Sequence, residues 1–310
     1  MDQSFRYLSF GRYLRGRFGR PVHKISIHAG FTCPNRDGTI GTTGCIYCDN
    51  RSFSPASNNP GLGQKIKPIR EQIEQAKVFL SERYGADRFI AYFQSYTNTH
   101  APVEVLRRRY GEALEDPDVI GIAIGTRPDC VDDEKLDLIS DIARTHHTWV
   151  EYGLQTANDE TLEAVNRGHD VAAFDRAVSE TRGRGLLVCA HVIFGLPGDT
   201  REDMLDTIRH CVGAGVEGIK FHQLHVIRDT PLAELWEKGE VPLLDFETYL
   251  DLVVESIELL PPGTVVHRLF GTGPKELWLG PNWNMRPQEI QLAIERELEK
   301  RDTYQGRKKV

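Results

Sequence analysis

The sequence predicts an α/β fold built on a parallel sheet, and three observations carry that prediction. Strand-like and helix-like stretches alternate six times between residues 22 and 226, with short loops between them, the layout of strands joined by crossover helices. Residues 186–194 are almost continuously apolar, as a strand covered on both faces must be. Beyond Thr230 the alternation gives way to helices with a single further strand. An open doubly wound sheet and a partial TIM barrel both satisfy this pattern, and spacing alone does not choose between them.

Residues 1–20 set Tyr7, Leu8, Phe10, Tyr13, Leu14 and Phe18 among arginines. Such a lead-in either packs its aromatics under the body of the fold with its arginines in water, or serves as an arm for substrate phosphate. Residues 22–29 alternate in strand fashion and form the first strand; 88–94, 119–125, 148–154, 186–194 and 218–226 supply the other five. Ile69, Ile73, Ala76 and Leu80 share one helical face. Further helices are expected over 102–114, over 132–143 with Asp132 or Asp133 as cap, and over 159–165, 172–184 and 201–213. The last part reads as helices over 231–238, 245–260 and 287–300 with a strand at 264–269. The expected organisation is a basic lead-in at 1–21, the main body at 22–229, and an extension at 230–310 that packs on that body.

The 310 residues are 40% hydrophobic and 27% charged, ordinary for a globular chain with a sizeable core. The net charge of −7 argues against a surface that binds nucleic acid everywhere, yet Arg6, Arg12, Arg15, Arg17, Arg20 and Lys24 face only Asp2 in the first 24 residues. A local basic arm binds phosphate even when the total is negative. No apolar run approaches the roughly 20 residues that span a bilayer, and the N-terminus lacks the pattern of a secretory signal. The six cysteines form no regular disulfide framework. The expected compartment is the cytoplasm.

Cys33, Cys45 and Cys48 stand in the pattern C-x11-C-x2-C on a stretch rich in Gly, Pro, Asn and Thr. That composition makes a loop, and Pro34 pushes Cys33 away from helical angles. Three thiols on one loop after an apolar strand point to a metal centre. A structural zinc site closes with four ligands, whereas an iron–sulfur cube held by three cysteines leaves one iron open. A zinc-loop binding module completed by a histidine such as His28 is the reading from another class. Lys220 and His222 are two apart and face the same side of a strand; if that side is interior, they are candidates to handle substrate protons or phosphate. A hydrogen-bonded structural histidine is the alternative for His222. Cys130, Cys189 and Cys211 read as small buried hydrophobes.

The cysteine loop resembles the cluster loop of radical S-adenosylmethionine (SAM) enzymes, in the widely spaced form of the YhcC/YtqA family and, more distantly, of the Elongator catalytic subunit. The ends of the expected strands support the likeness in order: Thr126-Arg127-Pro128-Asp129, Glu151-x-Gly153-x-Gln155, Arg167-Gly168-His169, and the exit through Lys220 and His222. The resemblance implies a partial (β/α)6 TIM-type barrel with a C-terminal α/β extension. It implies a 4Fe-4S cluster on Cys33, Cys45 and Cys48, whose open iron chelates S-adenosyl-L-methionine and whose reduction releases a 5′-deoxyadenosyl radical. Tyr47 takes the aromatic position beside the adenine. Gln94 and Thr97 offer acceptors to the SAM ammonium, unless they form only a polar turn. Gln155 and Arg167 match a SAM-contact pair, and a planar guanidinium suits the SAM carboxylate; a surface arginine with a core-facing glutamine is the alternative. Gly125 stands where Elongator-type relatives often carry a carboxylate, which leaves the ribose contact open. The implied partners are a transfer RNA modified at a wobble uridine and an electron donor such as flavodoxin or ferredoxin. Radical chemistry on a small molecule or peptide is the second enzymatic reading.

Overall fold

The computed structural model describes residues 5–55 and 58–308. Its strands are β1 (His23–Ile27), β2 (Phe89–Phe93), β3 (Val119–Thr126), β4 (His147–Gln155), β5 (Leu187–Phe194), β6 (Gly218–Gln223), β7 (Val226–Ile227), β8 (Val265–Arg268) and β9 (Trp278–Gly280). The helices are α1 (Phe10–Phe18), α2 (Ile69–Tyr84), α3 (Val103–Leu114), α4 (Asp133–Ala143), α5 (Asp159–Ala164), α6 (Val171–Gly183), α7 (Arg201–Ala214), α8 (Pro231–Glu237), α9 (Phe246–Leu259) and α10 (Pro287–Lys300). Seven strands form one parallel sheet in the order β1-β2-β3-β4-β5-β6-β8. Period-two alternation divides its side chains. Ile25, Ile27, Ile122, Ile124, Val150 and Val188 join the core under the helices, while Ile90, Tyr92, Trp149 and Cys189 share a separate interior cluster.

The sheet curls into a partial barrel. Its two edge strands, β1 and β8, do not pair, yet Lys24 Nζ of β1 lies 3.4 Å from His267 Nδ1 of β8. Side chains close the seam that backbone hydrogen bonds leave open.

Three differences from the sequence reading concern element boundaries. The lead-in contains a helix, α1, capped by the Ser9 side chain on the Arg12 amide and ended by Gly19 in the left-handed region, the residue type that adopts it without strain. The helix plugs the N-terminal ends of the strands: Leu14 is buried, and the Phe10 and Tyr13 rings sit 6.2 and 5.8 Å from Trp149. Its arginines Arg15 and Arg17 face water, as does Arg20 just beyond it, paired with Asp87 at 2.9 Å.

The sixth expected strand stops at Gln223. Leu224 turns to bond the Phe194 carbonyl at 2.8 Å, and β7 pairs antiparallel with β9, which periodicity did not mark. The expected strand at 264–269 becomes β8 and adds a seventh member to the main sheet through β6.

Candidate active site

The cysteine loop follows β1 and lies over the C-terminal ends of the strands. Its shape rests on polar ties to the segment after α5. Asn35 Nδ2 donates to the Asn166 carbonyl at 2.6 Å, and Asn166 Nδ2 returns to the Gly44 carbonyl at 2.7 Å. The Ile46 amide bonds the Val165 carbonyl at 3.1 Å. Arg36 crosses over Gly44 to reach the Cys48 carbonyl. A side chain at Gly44, whose φ is +77°, would meet that guanidinium at 2.7 Å, so glycine serves both the angle and the passage. Asp37 anchors the first turn by accepting from Thr32 at 2.5 Å and Thr39 at 2.7 Å, with His100 at 2.9 Å. These bonds hold its carboxyl well below the usual range.

Cys33, Cys45, Cys48 and Tyr47 line one side of a cleft whose walls also include Gln94, Thr97, Gln155, Arg167, Lys220 and His222. The structure therefore brings all ten residues singled out from the sequence into one cleft. Burial, and then the Cys45 thiol, push Cys48 up to about 12 while Arg36 opposes. A metal that takes the Cys48 sulfur must displace that proton.

Arg167 is 7% exposed, and its guanidinium donates to the Gly153 carbonyl at 2.6 Å and to Cys45 Sγ at 3.8 Å. Its Nε and the Tyr47 hydroxyl are buried with no hydrogen-bond partner among the described residues. A buried charged donor without a partner is costly, and here it belongs to a guanidinium that touches the Cys45 thiol. Gly153 is required for this packing: a Cβ there would fall 2.5 Å from Gln155 Nε2 and 2.7 Å from Arg167. Arg127, in a two-bond ion pair with Asp129, supports the Arg167 carbonyl at 2.7 Å.

The cleft floor holds a network that sequence reasoning missed. Glu151 is fully buried on β4. Its Oε1 receives Lys24 at 2.5 Å; its Oε2 receives Lys220 at 3.0 Å and His191 at 2.8 Å. Lys220 also donates to the Tyr92 hydroxyl at 2.6 Å. Although burial favours protonation of Glu151, the two ammoniums outweigh it and hold the carboxyl well below its ordinary value. Burial keeps His191 neutral, down to about 4. Glu151, Cys189 and His267 bring metal-type donor atoms within 4.8 Å of one another, but the Lys24 ammonium already sits on that carboxylate. Period two on β4 was the available signal: Glu151, Gly153 and Gln155 face the same way, so a carboxylate two residues below a cleft glycine belongs to its floor.

Comparisons with known proteins agree with this geometry. Residues 33–211 match the profile of the radical SAM superfamily, and residues 216–300 that of the radical SAM C-terminal domain. The chain is 40% identical to YtqA of Bacillus subtilis over 302 residues, covering 97% of this chain and 92% of YtqA. It is 41% identical to YhcC of Escherichia coli over 275 residues, covering 88% and 86%. Elongator complex protein 3 of Drosophila melanogaster is 27% identical over 326 residues, and the match takes in 92% of this chain but only 58% of that protein. Among solved structures, archaeal Elp3 of Methanocaldococcus infernus superposes with a TM-score of 0.67 at 18% identity, over 92% of this chain and 64% of that one. A parallel partial barrel, a three-thiol loop over its strand ends and close relatives along nearly the whole length lead to one conclusion: the chain belongs to the radical SAM superfamily of enzymes.

Proposed function

We propose that the protein uses a 4Fe-4S cluster on Cys33, Cys45 and Cys48 to cleave SAM reductively, and that the resulting radical chemistry modifies a uridine side chain of a transfer RNA. The observation that carries the first part is the cleft itself, in which the three thiols lie beside an unpartnered buried Arg167 Nε. When bound, cluster and SAM supply a 5′-deoxyadenosyl radical. The chain's own residues then do what protein groups do around a cofactor. Arg167 takes the SAM carboxylate with Gln155 as the second member of that SAM-contact pair, Gln94 and Thr97 accept from the ammonium, and Tyr47 walls the adenine. Lys220 and His222 face the substrate from the floor. An electron donor such as flavodoxin or ferredoxin supplies the reducing electron.

The transfer-RNA reading rests on likeness to Elongator complex protein 3 over most of this chain. One observation favours a small molecule instead. The basic helix α1 lies at the strand ends opposite the cysteine loop, packed on Trp149, so its arginines are remote from a nucleotide entering the cleft.

The test compares transfer-RNA nucleosides from cells with and without the protein. Loss of one modified uridine in the deletion strain, restored by the wild type and not by Cys45→Ala, supports the proposal. An unchanged nucleoside profile refutes the RNA substrate, and protein that retains no iron or sulfide after anaerobic purification refutes the cluster.

A further inference from the structure

The floor of the cleft has a charge imbalance. Lys24 and Lys220 share one carboxylate, Glu151, and no other acid bonds either ammonium among the described residues. Both Glu151 oxygens are already engaged, since His191 takes a second place on Oε2. Lys220 is 3% exposed and spends two of its three donors, on Glu151 and the Tyr92 hydroxyl. The remaining hydrogen has no partner among the described residues, and Lys220 lines the cleft.

Two further groups extend this face. His222, 5.7 Å from His191 between ring centres, lines the same cleft, and no hydrogen bond reaches its ring among the described residues. Arg268 on β8 is close enough for its charge to act on both Lys220 and His222. Buried charges are normally paired, and around Glu151 the two ammoniums of Lys24 and Lys220 outnumber the carboxylate by one before Arg268 is added.

We propose that Lys220, with His191 and His222, forms an oxyanion subsite on the cleft floor that takes a carboxylate or phosphate group of the substrate. The inference rests on the radical SAM reading of the cleft and adds the chemistry of what enters it. The structure supports it in three ways. The open donor of Lys220 and the unbonded His222 ring face the same cleft. The Glu151 carboxylate is saturated and cannot neutralise a second ammonium. Burial, with Arg268 and Lys24 adding to it and Glu151 opposing, also brings Lys220 down to about 7, the behaviour of an ammonium short of counter-charge.

The test is calorimetric titration of the anaerobic, cluster-loaded, SAM-bound protein with acetate and, separately, with inorganic phosphate at constant ionic strength. The expected result is saturable one-site binding of one of the two, which also decides between carboxylate and phosphate. Lys220→Met should weaken it about tenfold or more, the loss of a charged hydrogen bond, with SAM affinity unchanged. His222→Leu should weaken it less, and it serves in place of Lys220→Met if that variant does not fold. Saturable binding to neither anion, or equal affinity in the wild type and both variants, overturns the subsite while leaving SAM binding and the cluster reading intact. A cluster-loaded protein that binds no SAM overturns both.

Discussion

The cleft's polar residues differ in how much each has at stake, and the differences can be measured. Cys33→Ala, Cys45→Ala and Cys48→Ala are each expected to abolish the brown cluster absorbance of anaerobically purified protein. Cys189→Ala and Cys211→Ala, both fully buried away from the loop, should retain it. Full absorbance in any loop variant would count against the assignment. Arg167→Ala removes the guanidinium that bonds Gly153 and Cys45. It should weaken SAM binding by roughly tenfold or more while the cluster stays, because charged hydrogen bonds contribute about 1.5–3 kcal/mol. Gly153→Ala probes the same contact from the other side, since its Cβ would displace Gln155 and Arg167. Its expected outcome is a matching loss of SAM affinity in a folded protein, and unaltered affinity in calorimetry would remove Gln155 and Arg167 from the SAM site.

Among the elements, α1 separates what local sequence shows from what only packing decides. Gly11 and Gly16 lower its helix propensity, and Arg12, Arg15 and Arg17 blur its apolar face, so periodicity in residues 1–20 stays weak. Ser9 and Gly19 cap it in the structure. What makes the helix form is Leu14, buried under the sheet with Phe10 and Tyr13 beside it. Leu14→Ala should therefore cost about 2–5 kcal/mol, read as a shift in the urea midpoint, although the residue lies far from the cysteine loop. The strands were easier. Period two and the apolar run at 186–194 mark them from the sequence, and strand-end positions then place Gln94 and Gln155 at one end, with Arg167 in the turn that follows α5. Glu151 was visible as part of a strand-end motif, but its ion pairs stayed hidden because its partners come from β1, β5, β6 and β8, and no local pattern announces contacts made only when the sheet curls. The end of β6 was hidden for a similar reason: Gln223 is its last residue paired with β5, opposite Phe194, and that register is made between strands.

For the whole molecule, the buried plug makes stability depend on pH. Trp149 donates its indole hydrogen to His147 Nε2 at 2.8 Å, which requires that nitrogen to be unprotonated. Burial first, then Arg17 and Lys24, bring His147 from 6.5 down to about 4. Burial and Lys24 bring His267 down to about 3 despite Glu151. The folded state thus binds fewer protons than the unfolded chain. Stability is full above the unfolded value of 6.5 and falls as pH drops toward the folded values of about 4 and 3. Each ring should cost on the order of 2 kcal/mol by pH 5. His147→Gln keeps an acceptor for the indole and should flatten part of the decline. Equal urea midpoints at pH 7.5 and pH 5 in the wild type would contradict this account.

The plug under the strands also bears on the path of substrate and product. With Phe10, Tyr13 and Leu14 packed around Trp149, the strand ends below Glu151 are filled among the described residues, and the cleft lies on the side of the cysteine loop. On the proposed reading, the substrate's anionic group passes the cysteine loop to reach Lys220, and its product leaves by the same side.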